Sequence, residues 1–214
     1  MNNLVKTGEK YMKKKLKVLG ISVLSLILVL IIGVGMIFKG EIRTLISFKQ
    51  LNEHPFYEMT YHADYNLDEF LINGAATDDE LVSFVTKQIL KGVSFDVNPD
   101  GACSTFIATN LEDENLFGRN FDYVHSIGLI VRTQPKNGYK SISLVNLNHL
   151  GLSLENMPTK NLINRIVTLA APYAPLDGMN EKGLAIGVLV IQDGKVHQNT
   201  GKVPITTTSA IRMV

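Results

Sequence analysis

Ala102-Cys103-Ser104-Thr105-Phe106-Ile107-Ala108-Thr109 and, one turn later, Leu116-Phe117-Gly118-Arg119-Asn120-Phe121-Asp122-Tyr123 are the stretches on which the fold of this 214-residue chain turns. Each is short, bounded by turn residues and rich in β-formers, so each predicts a strand. Glu112-Asp113-Glu114-Asn115 predicts the hairpin turn between them, and Val97-Asn98-Pro99-Asp100-Gly101 is turn chemistry ahead of the first. Downstream, residues 127–133 and 140–146 alternate well enough for two more strands, joined by Pro135-Lys136-Asn137-Gly138. Residues 162–170 carry helical spacing. Residues 183–191 are a nearly continuous apolar run, read as a strand closed by Gln192-Asp193-Gly194, and Thr206-Thr207-Thr208-Ser209 opens a further helix. Sequential strands with hairpin turns imply antiparallel sheet, and the helices make the class α+β.

Upstream of the hairpin the chain divides by charge. Residues 1–17 hold six Lys and one Glu. From Val18 to Phe38 runs VLGISVLSLILVLIIGVGMIF, 21 residues without a charge. As a helix rising about 1.5 Å per residue this spans roughly 30 Å, the hydrocarbon thickness of a bilayer. A core helix and a cleavable signal peptide are the alternatives. The run is longer than a signal peptide's apolar stretch, and Met36-Ile37-Phe38-Lys39 is a poor cleavage site, which favours a signal anchor. The Lys residues ahead of the span outnumber Lys39 and Arg43 after it, which places the N-terminus in the cytoplasm and the remainder outside. Residues 39–102 are an acidic prosegment, with eleven acids against four bases between 40 and 102. Residues 41–65 show no clean period. Thr77 with Glu80 forms a capping box for a helix whose Leu81, Phe84, Val85 and Ile89 share one face, with Gly92 as a stop.

Composition excludes several classes. The single cysteine permits no intramolecular disulfide and no Cys-based zinc or iron–sulfur site. A formal net charge of +1 argues against a general nucleic-acid binder. His54, His62, His125, His149 and His197 form no metal-binding spacing and no recognisable dyad with the cysteine. No cofactor is implied.

Cys103 is the informative residue. A free cysteine is usually a small buried hydrophobe. This one opens a strand after two small residues, on a chain that reads as exported, where an unpaired thiol is a chemical liability. A thiol nucleophile needs a base, and no histidine supplies one. Cleavage of the Ala102–Cys103 bond would make Cys103 an N-terminal residue, whose α-amine (reference pKa about 7.7–8.0) serves as the base.

Cys103-Ser104-Thr105, followed sixteen residues after the cysteine by Arg119 in Gly118-Arg119-Asn120-Phe121-Asp122, resembles the N-terminal-nucleophile linear amide C–N hydrolases, the choloylglycine hydrolase and penicillin V acylase family. Asp177-Gly178-Met179-Asn180-Glu181-Lys182-Gly183-Leu184 resembles that family's second block. The resemblance implies a partial αββα sandwich over residues 103–214, preceded by the transmembrane helix at residues 18–38. It implies hydrolysis of linear amides of small N-acyl substrates, with Ala102 and Cys103 flanking the autocleaved bond. Cys103 would be the nucleophile, Arg119 would favour its thiolate, and Asp122 would orient the freed α-ammonium. Asn180 would shape the site loop. Val190 stands where choloylglycine hydrolases carry an oxyanion-hole Asn, so only its backbone N–H could serve. Regular alternation puts Arg119 and Asp122 on opposite strand faces, so their joint service to Cys103 requires a bulge or a strand end between them. The long pre-nucleophile segment is more like the ceramidase branch, where it is kept as a subunit. The family continues past the position of Val214, so part of the hydrolase domain is expected to be missing. Competing readings are a sortase-like anchored cysteine transpeptidase and a non-enzymatic anchored module. Phe106, Phe121, Tyr123 and Ile127 are candidates for an acyl pocket or for the core. The implied partners are the acyl amide substrate and, through residues 18–38, the bilayer, with no nucleic acid.

Overall fold

The computed structural model describes residues 2–97, 102–123, 126–190 and 201–213. The expected turn at residues 98–101, the strand closure at 191–194, His125 and His197 lie outside them. The first helix, α1 (Asn2–Ile37), contains a 24-residue stretch, Lys14–Ile37, whose apolar window is 0% buried among the described residues. It is long and apolar enough to cross a membrane. Phe38 breaks the helical geometry, and α2 (Lys39–Ser47) continues into the folded body.

A six-stranded sheet organises that body. Its strands are β1 (Lys49–Gln50), β2 (Phe56–Thr60), β5 (Gly128–Thr133), β6 (Ser141–Asn146), β7 (Pro175–Asn180) and β8 (Ala185–Gly187), in that spatial order. The remaining strands, β3 (Ala102–Thr109) and β4 (Asn115–Asp122), form a separate antiparallel hairpin. The antiparallel expectation therefore fails at one place. β2 runs parallel to β5, from Phe56 opposite Gly128 to Thr60 opposite Arg132. A parallel pair needs a long crossover connection, and here it contains α3 (Leu67–Asn73), α4 (Asp78–Gln88) and the hairpin. The result is a mixed α/β body in which residues 39–97 contribute strands and core.

One face of the sheet is packed. Tyr57 and Met59 of β2, Leu129 and Val131 of β5 and Val145 of β6 are all at most 1% exposed. Leu81, Val85 and Ile89 join the same core, so the α4 stripe packs as its spacing predicts. Thr77 Oγ1 accepts from Glu80 N at 3.2 Å, and the Glu80 carboxylate accepts from Ala76 N, one residue earlier than in a capping box. The predicted helix at 162–170 is α5 (Leu162–Val167), which tightens into a 3₁₀ segment, Thr168–Tyr173, where Pro172 removes a donor. The predicted strand at 183–191 is ladder-paired only over Ala185–Gly187, because Gly183 at φ +82° belongs to the turn after β7. The last helix is α6 (Thr207–Arg212).

The opposite face of the sheet receives the hairpin at its β7–β8 side. A Cβ on Gly187 would meet Phe117, Thr105 and Arg119 at 3.3–3.6 Å, so the bare glycine lets the hairpin's inner face close on the sheet. The layer order is thus hairpin, six-stranded sheet, helices.

Thr44, fully buried on α2, joins the N-terminal helices to the sheet. Its hydroxyl donates to Gly40 O and accepts from His62 N at 2.8 Å and Ala63 N at 3.2 Å. Thr44→Val keeps the shape and strips both amides of their acceptor. It is expected to lower the unfolding free energy by about 2 kcal/mol, read as a lower urea midpoint at unchanged slope; a wild-type midpoint would show that these bonds contribute nothing net.

Candidate active site

Cys103 and Arg119 meet because of the hairpin register. Cys103 stands opposite Phe121 and Thr105 opposite Arg119, so Cys103 and Arg119 are diagonal neighbours on the inner face. Arg119 Nη2 donates to Cys103 Sγ at 2.9 Å and to Val188 O at 3.2 Å. The guanidinium lies 5.2 Å from the Phe121 ring centroid, and its Nη1 is 3.5 Å from Asp177 Oδ2. The Arg119 side chain is only 4% exposed, whereas Cys103 is half-buried. A buried guanidinium is costly without anionic company. Asp177 supplies one such charge, and a thiolate on Cys103 would supply a second. Arg119 Nε and Nη1 make no hydrogen bond among the described residues, which leaves the group poised to take up more negative charge.

Asp177 was not singled out in the sequence for this position. It sits on β7 opposite Leu144 and Gly187, on the face that the hairpin covers. Burial pushes its carboxyl above the usual range, against the opposing pull of Arg119 and a backbone hydrogen bond from Leu144. The signal that could have found it is its membership of the second sequence block, the one acid in a strand otherwise apolar or small.

The other expected residues fall elsewhere. The ladder is regular through Ala102 opposite Asp122, without the bulge that would place both charged side chains on one face. Asp122 is exposed on the outer face, where Asn120 Nδ2 donates to its Oδ1 at 2.6 Å. Asn180 ends β7 and organises the turn, its Oδ1 accepting from Lys182 N and Leu184 N. It lies about 10 Å along the strand from Asp177 at roughly 3.3 Å per residue. Val190 is half exposed and lies two residues past Val188, whose carbonyl holds Arg119.

The apolar candidates divide. Ile127 is fully buried in the core. Phe106 is on the outer face, 64% exposed, where its ring covers Gly118 across the strand pair. Phe121 and Tyr123 stack on each other and meet His149 edge to face. A different set lines an apolar cleft of about 300 Å³ between hairpin and sheet: Phe56, Phe117, Ile130, Ile142, Leu144 and Met179, with Asp177 at its margin. Among the described residues, no group of three or more His, Cys, Asp or Glu side chains could hold a metal ion.

Residues 103–214 match the linear amide C–N hydrolases, choloylglycine hydrolase family, a match that covers just over half of the chain and begins at the cysteine that Arg119 contacts. The chain belongs to this family. No curated protein and no solved structure matches it. Membership in the choloylglycine hydrolase family gives linear amide C–N bonds as the class of bond cleaved.

Asp177 should betray itself in the pH dependence of stability. A carboxyl whose folded-state pKa is raised contributes stability that is complete below its unfolded pKa and is lost as pH rises through the folded value. The difference in unfolding free energy between wild type and Asp177→Asn should therefore fall as pH rises from the ordinary aspartate range to just above it, followed by chemical denaturation. A difference that grows with pH would mean that the Arg119 pair outweighs burial.

Proposed function

We propose that this protein is a membrane-anchored hydrolase of small N-acyl amides whose nucleophile is Cys103, exposed as an N-terminal residue by cleavage of the Ala102–Cys103 bond. The observation that carries this reading is the 2.9 Å contact of Arg119 Nη2 with Cys103 Sγ, at the residue where the family match begins. The order of hairpin, sheet and helices supports an αββα sandwich as the architecture to which these layers belong. The uncharged run at residues 18–38, with its excess of preceding Lys, supports a single span with the hydrolase part outside the cytoplasm.

The chemistry proceeds in two acylations of the same sulfur. In processing, Cys103 Sγ attacks the Ala102 carbonyl carbon and the C–N bond breaks. Water then hydrolyses the thioester, leaving a carboxylate on Ala102 and a free amine on Cys103. In turnover that amine takes the thiol proton as sulfur attacks the substrate carbonyl, and the proton passes to the departing amine. Water resolves the acyl-enzyme and regenerates the thiol. Arg119 neutralises charge on sulfur in both steps, and Asp177 holds Arg119 in place. Because the ladder is regular through Asp122, its carboxylate stays on the outer face with Asn120 and takes no part in this chemistry. The Val190 backbone N–H is the proposed oxyanion donor, and Asn180 supports it by fixing the turn. The apolar cleft between hairpin and sheet suits the acyl chain.

Processing would not detach the anchor, because β2 and the core residues Tyr57, Met59, Phe70 and Val85 all precede Cys103. Intact-mass measurement should therefore show two pieces divided before Cys103 that co-elute natively and separate only on denaturation. Cys103→Ala should remain one piece. An unbroken wild-type chain with the same mass pattern as Cys103→Ala would refute self-processing. With an N-acyl amide as substrate, Arg119→Met should lower amine release on the order of a hundredfold, as loss of one charge-stabilising group does; unchanged release would remove Arg119 from the mechanism.

A further inference from the structure

The sheet has a second cleft, which adjoins the one beside Cys103 and shares Ile142 and Met179 with it. It measures about 660 Å³ and lies where β2, β5 and β7 end and β6 begins. Arg132, Lys136 and Lys140 line it, against one carboxylate, that of Glu181. Glu181 Oε1 is itself engaged by Lys140 N at 3.1 Å. Cys103, Arg119 and Asp177 are not among its lining residues.

A fourth cation lies under its floor. Arg212 of α6 is 6% exposed. Its Nη1 donates to Thr133 Oγ1 and Ser141 Oγ, both at 3.0 Å, its Nη2 to Ser143 Oγ at 2.8 Å and its Nε to Pro172 O at 2.8 Å. Every one of these partners is neutral. Among the described residues no carboxylate pairs with it, and the Tyr65 ring 6.0 Å away offsets its charge only weakly. Thr133 and Ser141 line the cleft and hydrogen-bond each other at 2.8 Å, one of them donating, so an anion bonded to the hydroxyl that accepts there would sit about 6 Å from the guanidinium at ordinary hydrogen-bond lengths.

The location of the cleft identifies the anion's source. The apolar helix α1 ends at Ile37, and α2 starts at Lys39. Gly40, one residue into α2, packs so closely on Ala63 that an added Cβ would lie 2.8 Å from its Cα. His62, whose amide donates to Thr44 of α2, lines the cleft. The cleft therefore opens within a helical turn or two of the point where the apolar helix ends. We propose that it binds the phosphate of an anionic phospholipid headgroup between Arg132, Lys136 and Lys140, so that the anchored domain is held against the bilayer at this end of the sheet. This rests on the reading of residues 18–38 as a membrane helix.

The test uses the full chain in a zwitterionic detergent, with binding followed by calorimetric titration. The probes are dihexanoyl phosphatidylglycerol, dihexanoyl phosphatidylcholine and inorganic phosphate. Phosphatidylglycerol should bind, phosphatidylcholine should not, and phosphate should bind far more weakly than the lipid. Removal of each interfacial cation is worth about fivefold, so Arg132→Gln/Lys140→Gln should weaken phosphatidylglycerol binding on the order of thirtyfold. Lys160→Gln/Lys202→Gln, the same charge change away from the cleft, should leave it unchanged. Equal binding of the two lipids would overturn the proposal, as would equal loss in both double variants. Phosphate binding as tightly as the lipid would make this a site for soluble anions and overturn the lipid assignment. Carbonate extraction of membranes containing the chain tests residues 18–38 separately. Release of the chain by carbonate would refute the anchor whatever the titration shows, and a retained chain with no lipid preference would refute the cleft alone.

Discussion

The parallel pairing of β2 with β5 is the constraint on which the rest of the structure depends. β2 lies inside the six-stranded sheet, between β1 and β5, and its Tyr57 and Met59 are 1% exposed. Removing it would strip β5 of its neighbour on one side and open the core to water. The backbone of β5 would then lose a row of hydrogen bonds with nothing to replace them. The segment before Cys103 supplies β2 and part of the core to the sheet that the later residues complete. It is one wall of the folded body, and it carries α1 with it. Without the residues before Cys103, Leu129 and Val131 would lose their cover and face water.

The same arrangement sets the electrostatics of the candidate site. The hairpin bears Cys103 and Arg119 on its inner face, and among the described residues the sheet offers Asp177 and the Val188 carbonyl in return. Arg119 is therefore buried with less negative charge and fewer acceptors than its five donors can use. A group in that condition favours whatever brings an anion within reach, whether a thiolate or the oxygen of a tetrahedral adduct. Asp177 pulls the other way. It lowers the cost of burying Arg119, and its charge competes with sulfur for the same guanidinium. Its own reluctance to ionise in this place weakens that competition.

What the sequence made legible follows from the range of the forces involved. The β3–β4 hairpin, the α4 cap at Thr77 and the β5–β6 hairpin are local, and their turn residues and periodicity lie within a dozen positions of each other. β2 does obey a period of two, with Tyr57 and Met59 buried and Glu58 and Thr60 outward, but five residues after a proline give that pattern little weight. Its parallel partner is more than sixty residues away, and nothing local announces such a pairing. The site divides in the same way. Cys103 and Arg119 are joined by a hairpin register that simple alternation yields, and the same alternation puts Asp122 on the other face. Asp177 reaches Arg119 only because β7 lies beneath the hairpin, a fact of layer packing that strand periodicity does not contain.

The strand directions finally order the two ends of the molecule. β2 runs from Phe56 toward Ala63, where α2 docks, and β5 runs with it. β6 runs back and β7 returns, so Thr133, Ser141 and Asn180 share one end of the sheet with the start of α2. Asp177 is three residues back along β7, about 10 Å from Asn180 at the usual rise per residue. Cys103 and Arg119 are positioned with Asp177 rather than with Asn180. If residues 18–38 form the anchor, the cationic turn at residues 134–140 and the neighbouring turn at residues 181–183 approach the headgroups and the thiol stands off from them. Gly40 and Thr44 both pack against the residues that follow β2, so the start of α2 is held at this end of the sheet.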